Sequence, residues 1–183
     1  LRECATAFGL MYFMQQGTPF IYQGQEIGMT NVKFDSIYDY NDVKGINIYK
    51  EKIAQGLSKE DALKCVWAVS RDNSRTPMQW DDSDNSGFTE GKPWINVNEN
   101  YKNINVKVQL ENKNSILNFY KEMIRIRKEN KTLVYGSYDL ILEDDEKIYA
   151  YTRTMENEKF IIIVNLSHDK VRYSHNEELK YDN

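Results

Sequence analysis

The sequence predicts a mixed fold, in which an α/β part of the kind that builds parallel barrels is followed by an all-β part. Over residues 2–24 an apolar helical segment, a tight turn, a short buried strand and a polar loop follow one another, which is the order of an α/β barrel unit. After Asn130 the pattern changes to short β-rich runs separated by acidic turns, as in an antiparallel meander. We therefore predict two domains, at residues 1–132 and 133–183.

The first helix is predicted over Arg2 to Gln16, where apolar residues fall on nearly every face. A helix of this kind has to be covered by other elements on several sides. Gly17 and Pro19 end it, because glycine favours the turn after a helix and proline cannot continue one. The short apolar run from Phe20 to Tyr22 is the predicted buried strand.

A polar stretch with little periodicity extends over residues 25–109. Such a length inside a compact domain indicates a functional loop. Two helices are predicted within it, at residues 42–55 and 58–69, and the second begins with a serine followed three positions later by an aspartate, an approximate capping pattern. A third, strongly amphipathic helix is predicted at residues 115–130, with Arg127 on its apolar stripe and near its C-terminal dipole.

Short β-rich runs make up the rest of the chain and predict an antiparallel meander of four strands. They cover residues 138–142, 148–154, 160–165 and 170–174. Four strands are fewer than a β-sandwich needs to close, so the β domain is expected to be incomplete.

Composition excludes several classes of function. A hydrophobic content of 40% and a charged content of 28% are typical of globular proteins. The net charge of -4 provides no basic stripe, so no nucleic-acid partner is expected. No apolar run approaches the roughly 20 residues that span a bilayer, so no membrane partner is expected. Cys4 and Cys65 lack metal-ligand spacing and are predicted to be buried free thiols, which favours a reducing, cytoplasmic location.

Residues 71–80, RDNSRTPMQW, are the most informative segment of the chain. They place two arginines four residues apart, Arg71 and Arg75, with Asp72 and Asn73 between them. Without any family in view, such a set fits a surface salt-bridge cluster. It also fits a polar clamp, because the guanidinium fork matches sugar hydroxyls and carboxylates.

The segment, together with residues 81–94 (DDSDNSGFTEGKPW), resembles the loop after the last barrel strand in α-glucosidases of glycoside hydrolase family 13. Within that family it is most similar to the oligo-1,6-glucosidase group. Residues 22–30 (YQGQEIGMT) resemble the end of the eighth barrel strand and its loop, although relatives commonly carry a glutamate where Gln25 stands. The resemblance implies the C-terminal part of a (β/α)8 barrel, with its last strand and flanking helices, followed by the start of an antiparallel β domain.

Three residues receive roles from this resemblance. Arg71 is implied to hydrogen-bond the non-reducing glucose at the cleavage subsite, and Arg75 is implied to support the same subsite. Lys44 lies in residues 42–47 (DVKGIN), which resemble the border of the acceptor subsite, at a position where the group tends to carry an acidic residue. Lys44 is therefore interpreted either as an acceptor-subsite residue or as an ordinary surface lysine. Glu26 is implied to be an orienting or structural residue.

The activity implied is that of a retaining α-glucosidase acting on short α-1,6-linked gluco-oligosaccharides. The family's three catalytic carboxylates lie in motifs that do not occur in this sequence, one of which contains Asn-His-Asp. The chain is therefore expected to supply substrate-binding arginines but no catalytic residue. On its own it is expected to be inactive. Its expected partners are a small oligosaccharide and either the N-terminal half of the barrel or a second copy of the chain. Alternatives are a sucrose isomerase or a trehalose-6-phosphate hydrolase of the same family, and a non-catalytic carbohydrate-binding or structural piece.

Other polar clusters are weaker candidates. Residues 81–85 (DDSDN) are spaced somewhat like a calcium loop but lack the downstream pattern of an EF-hand, so an acidic turn is favoured. His168 and His175 have no clustered partner and are interpreted as structural or exposed. No Gly-rich phosphate loop, nucleophile elbow or zinc signature occurs, and we predict neither a metal nor a cofactor.

Overall fold

A computed structural model of the chain describes residues 1–174. The α-helices in this range are α1 (Arg2–Phe13), α2 (Val43–Ala54), α3 (Lys59–Val69), α4 (Val106–Glu111), α5 (Ile116–Glu129) and α6 (Lys131–Tyr135). The strands are β1 (Ser137–Ile141), β2 (Ile148–Met155) and β3 (Glu158–Asn165). Short 3-10 helices lie at Gln25–Ile27, Ile37–Asp39, Arg71–Ser74, Asp84–Gly87 and Glu99–Lys102. None of the helices just named is both long and apolar enough to cross a membrane.

The chain divides into two compact units. The first contains residues 1–2 and 21–121, and the second contains residues 3–20 and the chain from residue 122 onward. The predicted domain division between residues 132 and 133 stays a prediction.

In the first unit, α2 and α3 pack over an apolar core. Both helices begin as the sequence predicts. Asp42 accepts hydrogen bonds from the first backbone N–H groups of α2, and the Ser58 hydroxyl accepts one from the Asp61 N–H at 3.1 Å. These side chains satisfy N–H groups that have no partner within the helix. The buried core members are Val32, Phe34, Tyr40, Leu63, Val66 and Ile95.

The second unit contains the three-stranded antiparallel sheet, in the order β1-β2-β3. Tyr151 of β2 lies opposite Leu140 of β1 and Ile162 of β3. β2 is the most buried strand because it is paired along both edges. Three of the four predicted strands are thereby confirmed, each within about two residues of its expected ends.

Two buried arginines secure the end of α1 in the second unit. Arg127 donates to the carbonyl oxygens of Phe13 at 2.9 Å and of Gly17 at 2.6 Å, and Arg153 donates to that of Met14 at 2.7 Å. Arg153 also donates to the Leu133 carbonyl at 2.7 Å. The Phe13 carbonyl is the last of α1 and has no partner within the helix, and Met14 and Gly17 lie in the turn that follows, so the two guanidinium groups hold the C-terminal end of α1 and its turn. Burial lowers the pKa of both guanidinium groups below its ordinary value.

Two predicted strands are wrong. The run Phe20–Tyr22 forms neither strand nor helix, and Phe20 is 82% exposed. A buried parallel strand needs hydrogen-bonded neighbours, and the only sheet in residues 1–174 is β1–β3. Residues 170–174 also form no strand. After β3, the Asn165 side chain accepts from the Ser167 N–H at 2.9 Å and donates to the Asp169 carbonyl at 2.7 Å, so that residues 165–169 form a turn at the end of the strand.

The expected burial around α1 is wrong in part. The helix ends at Phe13, three residues earlier than predicted, and Phe8 is 54% exposed, so residues 1–174 do not cover it on every side. Cys4 is exposed and Cys65 is half-buried, and both are free thiols. The prediction of two buried thiols therefore holds for neither residue in full. Cys4 lies in the exposed first turn of α1, and Cys65 lies at a half-buried position of α3.

We predict that Arg153→Lys destabilises the chain by about 3 kcal/mol, because one ammonium group cannot satisfy the buried carbonyls that the guanidinium fork reaches. The free energy of unfolding from urea titration measures this loss. Arg125→Lys is the matched control, since Arg125 is exposed and its ion pairs within residues 1–174 are with Glu122 and Glu129 of its own helix. Equal stability of the Arg153→Lys variant and the native chain would show that the buried arginine is not a structural cap.

Candidate functional site

An open cavity of about 520 Å³ in the first unit is bordered by all three residues selected from the sequence, Lys44, Arg71 and Arg75. Lys44 comes from the first turn of α2, and the two arginines come from the 3-10 helix Arg71–Ser74 and its end. The remaining border residues are Asn41, Asp42, Val43, Asn47, Ile48 and Glu51. The structure thus brings Lys44 together with two arginines that lie 27 and 31 residues further along the chain.

The short helix at residues 71–74 turns its two middle residues inward and leaves both arginines exposed. Asn73 accepts a hydrogen bond from the Val32 N–H at 3.1 Å and donates one to the Trp67 carbonyl at 3.0 Å. Asp72 is completely buried. Ser70 caps the turn by accepting from the Asp72 N–H at 3.2 Å. The segment is therefore fixed from within, and its guanidinium groups are free to face the cavity.

Two aspartates tie this segment to the start of α2, and we call the pair the aspartate clasp, made of Asp42 and Asp72. Asp42 Oδ2 accepts from the Arg71 N–H at 2.9 Å and from the Gly45 N–H at 3.2 Å. In return, Asp72 Oδ2 accepts from the Asn41 N–H at 2.7 Å and from the Asp42 N–H at 3.0 Å. Each carboxylate thus binds backbone amides of the other's segment. Hydrogen bonds to an ionised acceptor are about twice as strong as neutral ones, so the clasp fixes the two segments firmly.

The environment of Asp42 favours its ionised form. Burial alone would raise the pKa of this carboxyl group. The backbone N–H groups of Arg71, Lys44 and Gly45 and the positive charge of Arg71 act in the opposite direction. Together they prevail, so the pKa of Asp42 lies below its ordinary value of 3.8.

Charge around the cavity is balanced overall but not paired group by group. Within residues 1–174, the Lys44 and Arg71 head groups make no hydrogen bond or ion pair, and Arg75 Nη1 lies 3.6 Å from Asp72 Oδ1. Three cations therefore border the cavity with two carboxylates, those of Asp42 and Glu51, and a third carboxylate, that of Asp72, is buried beside Arg75. A ligand that is neutral and rich in hydroxyl groups suits such a cavity, because unpaired donors gain hydrogen bonds without a change in net charge.

The segment that resembles a barrel-strand end lies beside a smaller cavity of about 240 Å³. Its Tyr22 hydroxyl donates to the Ser74 carbonyl at 2.8 Å, which connects it to the arginine segment. Gln25 Oε1 accepts from the Tyr22 N–H at 3.2 Å. Glu26 has one buried carboxylate oxygen with no hydrogen-bond partner in the described chain and does not border the arginine cavity.

The acidic run at residues 81–85 forms a turn. The Asp81 carboxylate accepts from the Ser83 N–H at 2.9 Å, and Asp82 pairs with Lys107 at 3.0 Å. Among residues 1–174, no group of three or more His, Cys, Asp or Glu side chains is arranged to hold a metal ion. His168 is exposed, and His175 lies outside the described residues.

The aspartate clasp is the part of the site that the sequence patterns did not identify. Asp42 was expected only at the start of a helix, and Asp72 only as a neighbour of two arginines. A sign of the clasp is nevertheless present, since an aspartate stands directly before α2 and a serine, Ser70, stands two positions before Asp72. Both are cap residues, which mark backbone amides in need of an acceptor.

Comparison with known proteins gives a consistent result. The family model of the alpha-amylase catalytic domain matches residues 1–136. An oligo-1,6-glucosidase from Parageobacillus thermoglucosidasius is 54% identical over 166 residues, covering 90% of this chain and 30% of that protein. Among solved structures, a trehalose-6-phosphate hydrolase from Bacillus licheniformis matches with a TM-score of 0.84 and 45% identity, covering 90% of this chain and 29% of that one.

A further solved structure is an isomaltulose synthase from Erwinia rhapontici bound to sucrose, which is described as its natural substrate. It is 43% identical with a TM-score of 0.81, and the match covers 91% of this chain and 30% of that one. The chain therefore spans about 30% of the length of the relatives that it matches.

We predict that Asp42→Asn lowers the free energy of unfolding by about 1 kcal/mol near neutral pH, because its hydrogen bonds lose their charge. A group with a depressed pKa in the folded state stabilises above its unfolded pKa and loses that effect as pH falls through the folded pKa. The difference between native chain and variant should therefore be constant above about pH 5 and shrink toward pH 2. Urea titrations across this range measure it, with the exposed Asp35→Asn as control. A difference that grows on acidification would contradict the assignment.

Proposed function

The chain belongs to the alpha-amylase catalytic-domain family, and on that premise we propose that it is the C-terminal part of a retaining α-glucosidase for short α-1,6-linked gluco-oligosaccharides. The three-stranded sheet and helices have the fold of that family, and the proposed whole enzyme contains a (β/α)8 barrel and a β domain that starts near residue 133. Its proposed substrate is a neutral disaccharide or short oligosaccharide of the isomaltose type.

One observation carries this proposal, the meeting of Lys44, Arg71 and Arg75 at a single cavity. An isolated surface salt-bridge cluster, the rival interpretation of the arginines, would pair them with nearby carboxylates at short distance. Arg71 instead has no such partner in residues 1–174, and Arg75 has only Asp72 at 3.6 Å. Guanidinium forks that make no hydrogen bond to a carboxylate, at a concave surface, are suited to sugar hydroxyls.

In the proposed enzyme the two arginines bind and orient glucose and take no part in bond cleavage. A retaining glycosidase needs two carboxyl groups about 5 Å apart, one that attacks the anomeric carbon and one that protonates the leaving oxygen. The catalytic motifs of the family are absent from this sequence. Arg71 is proposed to hold the non-reducing glucose and Arg75 to support it, so that the anomeric carbon faces carboxylates supplied by the rest of the barrel.

Lys44 is proposed to face the acceptor sugar on the other side of the same cavity. It replaces the acidic residue that the oligo-1,6-glucosidase group tends to carry, so it donates a hydrogen bond where an acidic side chain would accept one. A hydroxyl group can serve either role, because it is both donor and acceptor. The substitution is therefore compatible with a neutral acceptor, with an altered preference among linkages.

Two other activities share this segment of the fold. The isomaltulose synthase, which is 43% identical to the chain, supports a sucrose isomerase as an alternative. The trehalose-6-phosphate hydrolase, which is 45% identical, supports a hydrolase of that type. The balanced charge of the cavity favours a neutral sugar over a phosphorylated one. A non-catalytic carbohydrate-binding piece would require affinity for sugar in the isolated chain.

We further propose a cytoplasmic location and, as partner, the remaining part of the barrel or a second copy of the chain.

We predict that the purified chain alone does not hydrolyse isomaltose, and that activity appears in a chimera. In the chimera this chain replaces the segment that it matches in the Parageobacillus thermoglucosidasius oligo-1,6-glucosidase. The remaining part of that enzyme supplies the catalytic carboxylates. Glucose release from isomaltose and from trehalose 6-phosphate, and isomaltulose formation from sucrose, are then measured separately, because an isomerase rearranges sucrose without releasing glucose. In the same chimera Arg71→Ala should lower kcat/KM by at least about 100-fold, the loss expected when a positioning contact to the reacting sugar is removed.

Arg125→Ala in the chimera is the control, because Arg125 is an exposed arginine of α5 whose pairs lie on its own helix. Turnover by the isolated chain, with host glucosidase excluded, would refute the proposal that the catalytic carboxylates come from the rest of the barrel. Unchanged kcat/KM in the Arg71→Ala chimera would refute the proposed role of Arg71. Isothermal titration of the isolated chain with isomaltose tests the binding-module alternative, for which millimolar or tighter affinity is required.

A further inference from the structure

A completely buried carboxylate lies directly behind the sugar-facing arginines. Asp72 has no exposed surface, and its two oxygens have different surroundings. Oδ2 accepts two hydrogen bonds, from the backbone N–H groups of Asn41 and Asp42. Oδ1 has no hydrogen-bond partner within residues 1–174, and its one ionic neighbour is Arg75 Nη1 at 3.6 Å. A distance of this size is an ion pair without a hydrogen bond.

This asymmetry has a physical consequence for Arg75. The two amides at Oδ2 fix the orientation of the carboxylate, so Oδ1 can point in only one direction. A buried ionised oxygen without a hydrogen bond is costly, and a nearby cation reduces that cost. The guanidinium group is therefore drawn toward Oδ1, although the Arg75 side chain is 38% exposed and could otherwise sample many rotamers.

We infer that Asp72 is a positioning residue, which sets the place of the Arg75 guanidinium at the cavity and joins it to the start of α2. The same carboxylate holds the Asn41 and Asp42 amides, and Lys44 lies in the turn that follows them. One buried charge thus connects the arginine side of the cavity with the lysine side. Its purpose in catalysis rests on the proposed function, but the positioning itself is a property of this chain and needs no sugar.

A positioning role has a different energetic consequence from that of an ordinary buried hydrogen-bond acceptor. If Asp72 only accepted backbone amides, Asp72→Asn would have the same effect whether or not Arg75 is present, because asparagine keeps an amide acceptor. If it positions Arg75, the two residues are energetically coupled. Removing the arginine would then leave a buried charge without its partner, and the Asp72→Asn substitution would become less harmful in that background.

A double-mutant cycle in the 183-residue chain, with Asp72→Asn, Arg75→Gln and both together, tests the coupling by urea unfolding. We expect Asp72→Asn to raise the unfolding equilibrium constant at least about threefold more in the native background than in the Arg75→Gln background. In parallel, the Nε–Hε signal of Arg75 in the NMR spectrum should move and exchange faster with water in Asp72→Asn. The corresponding Arg71 signal should change less, since Arg71 makes no ion pair with Asp72.

The single variant Arg75→Gln keeps the proposal testable if Asp72→Asn does not fold. It should raise the unfolding equilibrium constant by about threefold to tenfold, because the buried carboxylate loses its charge partner. Arg71→Gln is the matched control, an exposed arginine of the same segment without an ion pair, and should change that constant less than about twofold. Equal effects of Arg75→Gln and Arg71→Gln, or equal effects of Asp72→Asn in both backgrounds, would overturn the inference. Neither outcome depends on sugar binding, so the proposed function is tested separately.

Discussion

The candidate site depends on one interaction, the aspartate clasp between Asp42 and Asp72. Loop segments carry many polar backbone groups and have no periodic apolar face to hold them in place. Here two ionised carboxylates satisfy amides of each other's segment, and this exchange connects the start of α2 with the arginine segment. Packing of α2 on α3 brings these segments near each other, and the clasp fixes the ends at which Lys44 and Arg71 stand.

The same physical solution occurs in the second unit with the charges reversed. There the ends of backbone segments present carbonyl oxygens, and the guanidinium groups of Arg127 and Arg153 satisfy them. In both units a buried charged side chain satisfies several backbone groups where a helix begins or ends. Such groups cost free energy when they are buried and unpaired, so each charge stabilises the place where regular structure stops.

Local signals in the sequence predicted much of the fold, and contacts distant in sequence account for the errors. The helices after Asp42 and Ser58 begin where cap residues stand, because capping involves residues only two or three positions apart. The strand at Phe20–Tyr22 fails because strand formation depends on neighbours that residues 1–174 do not provide. Resemblance to a known family selected Arg71, Arg75 and Lys44. Only the folded structure shows that these three residues border one cavity. The bond from Asp72 to the Asn41 amide joins residues 31 positions apart, and no local pattern encodes it.

We propose that the clasp holds Lys44, Arg71 and Arg75 around one sugar-binding cavity. A crystal structure of the chimera, with one catalytic carboxylate replaced to prevent turnover and with isomaltose bound, tests it most directly. We expect the Arg71 guanidinium at about 3 Å from a hydroxyl of the non-reducing glucose, with the second glucose on the Lys44 side and the clasp intact. Isomaltose bound elsewhere, with Arg71 paired to a protein carboxylate and the cavity filled by side chains, would contradict it.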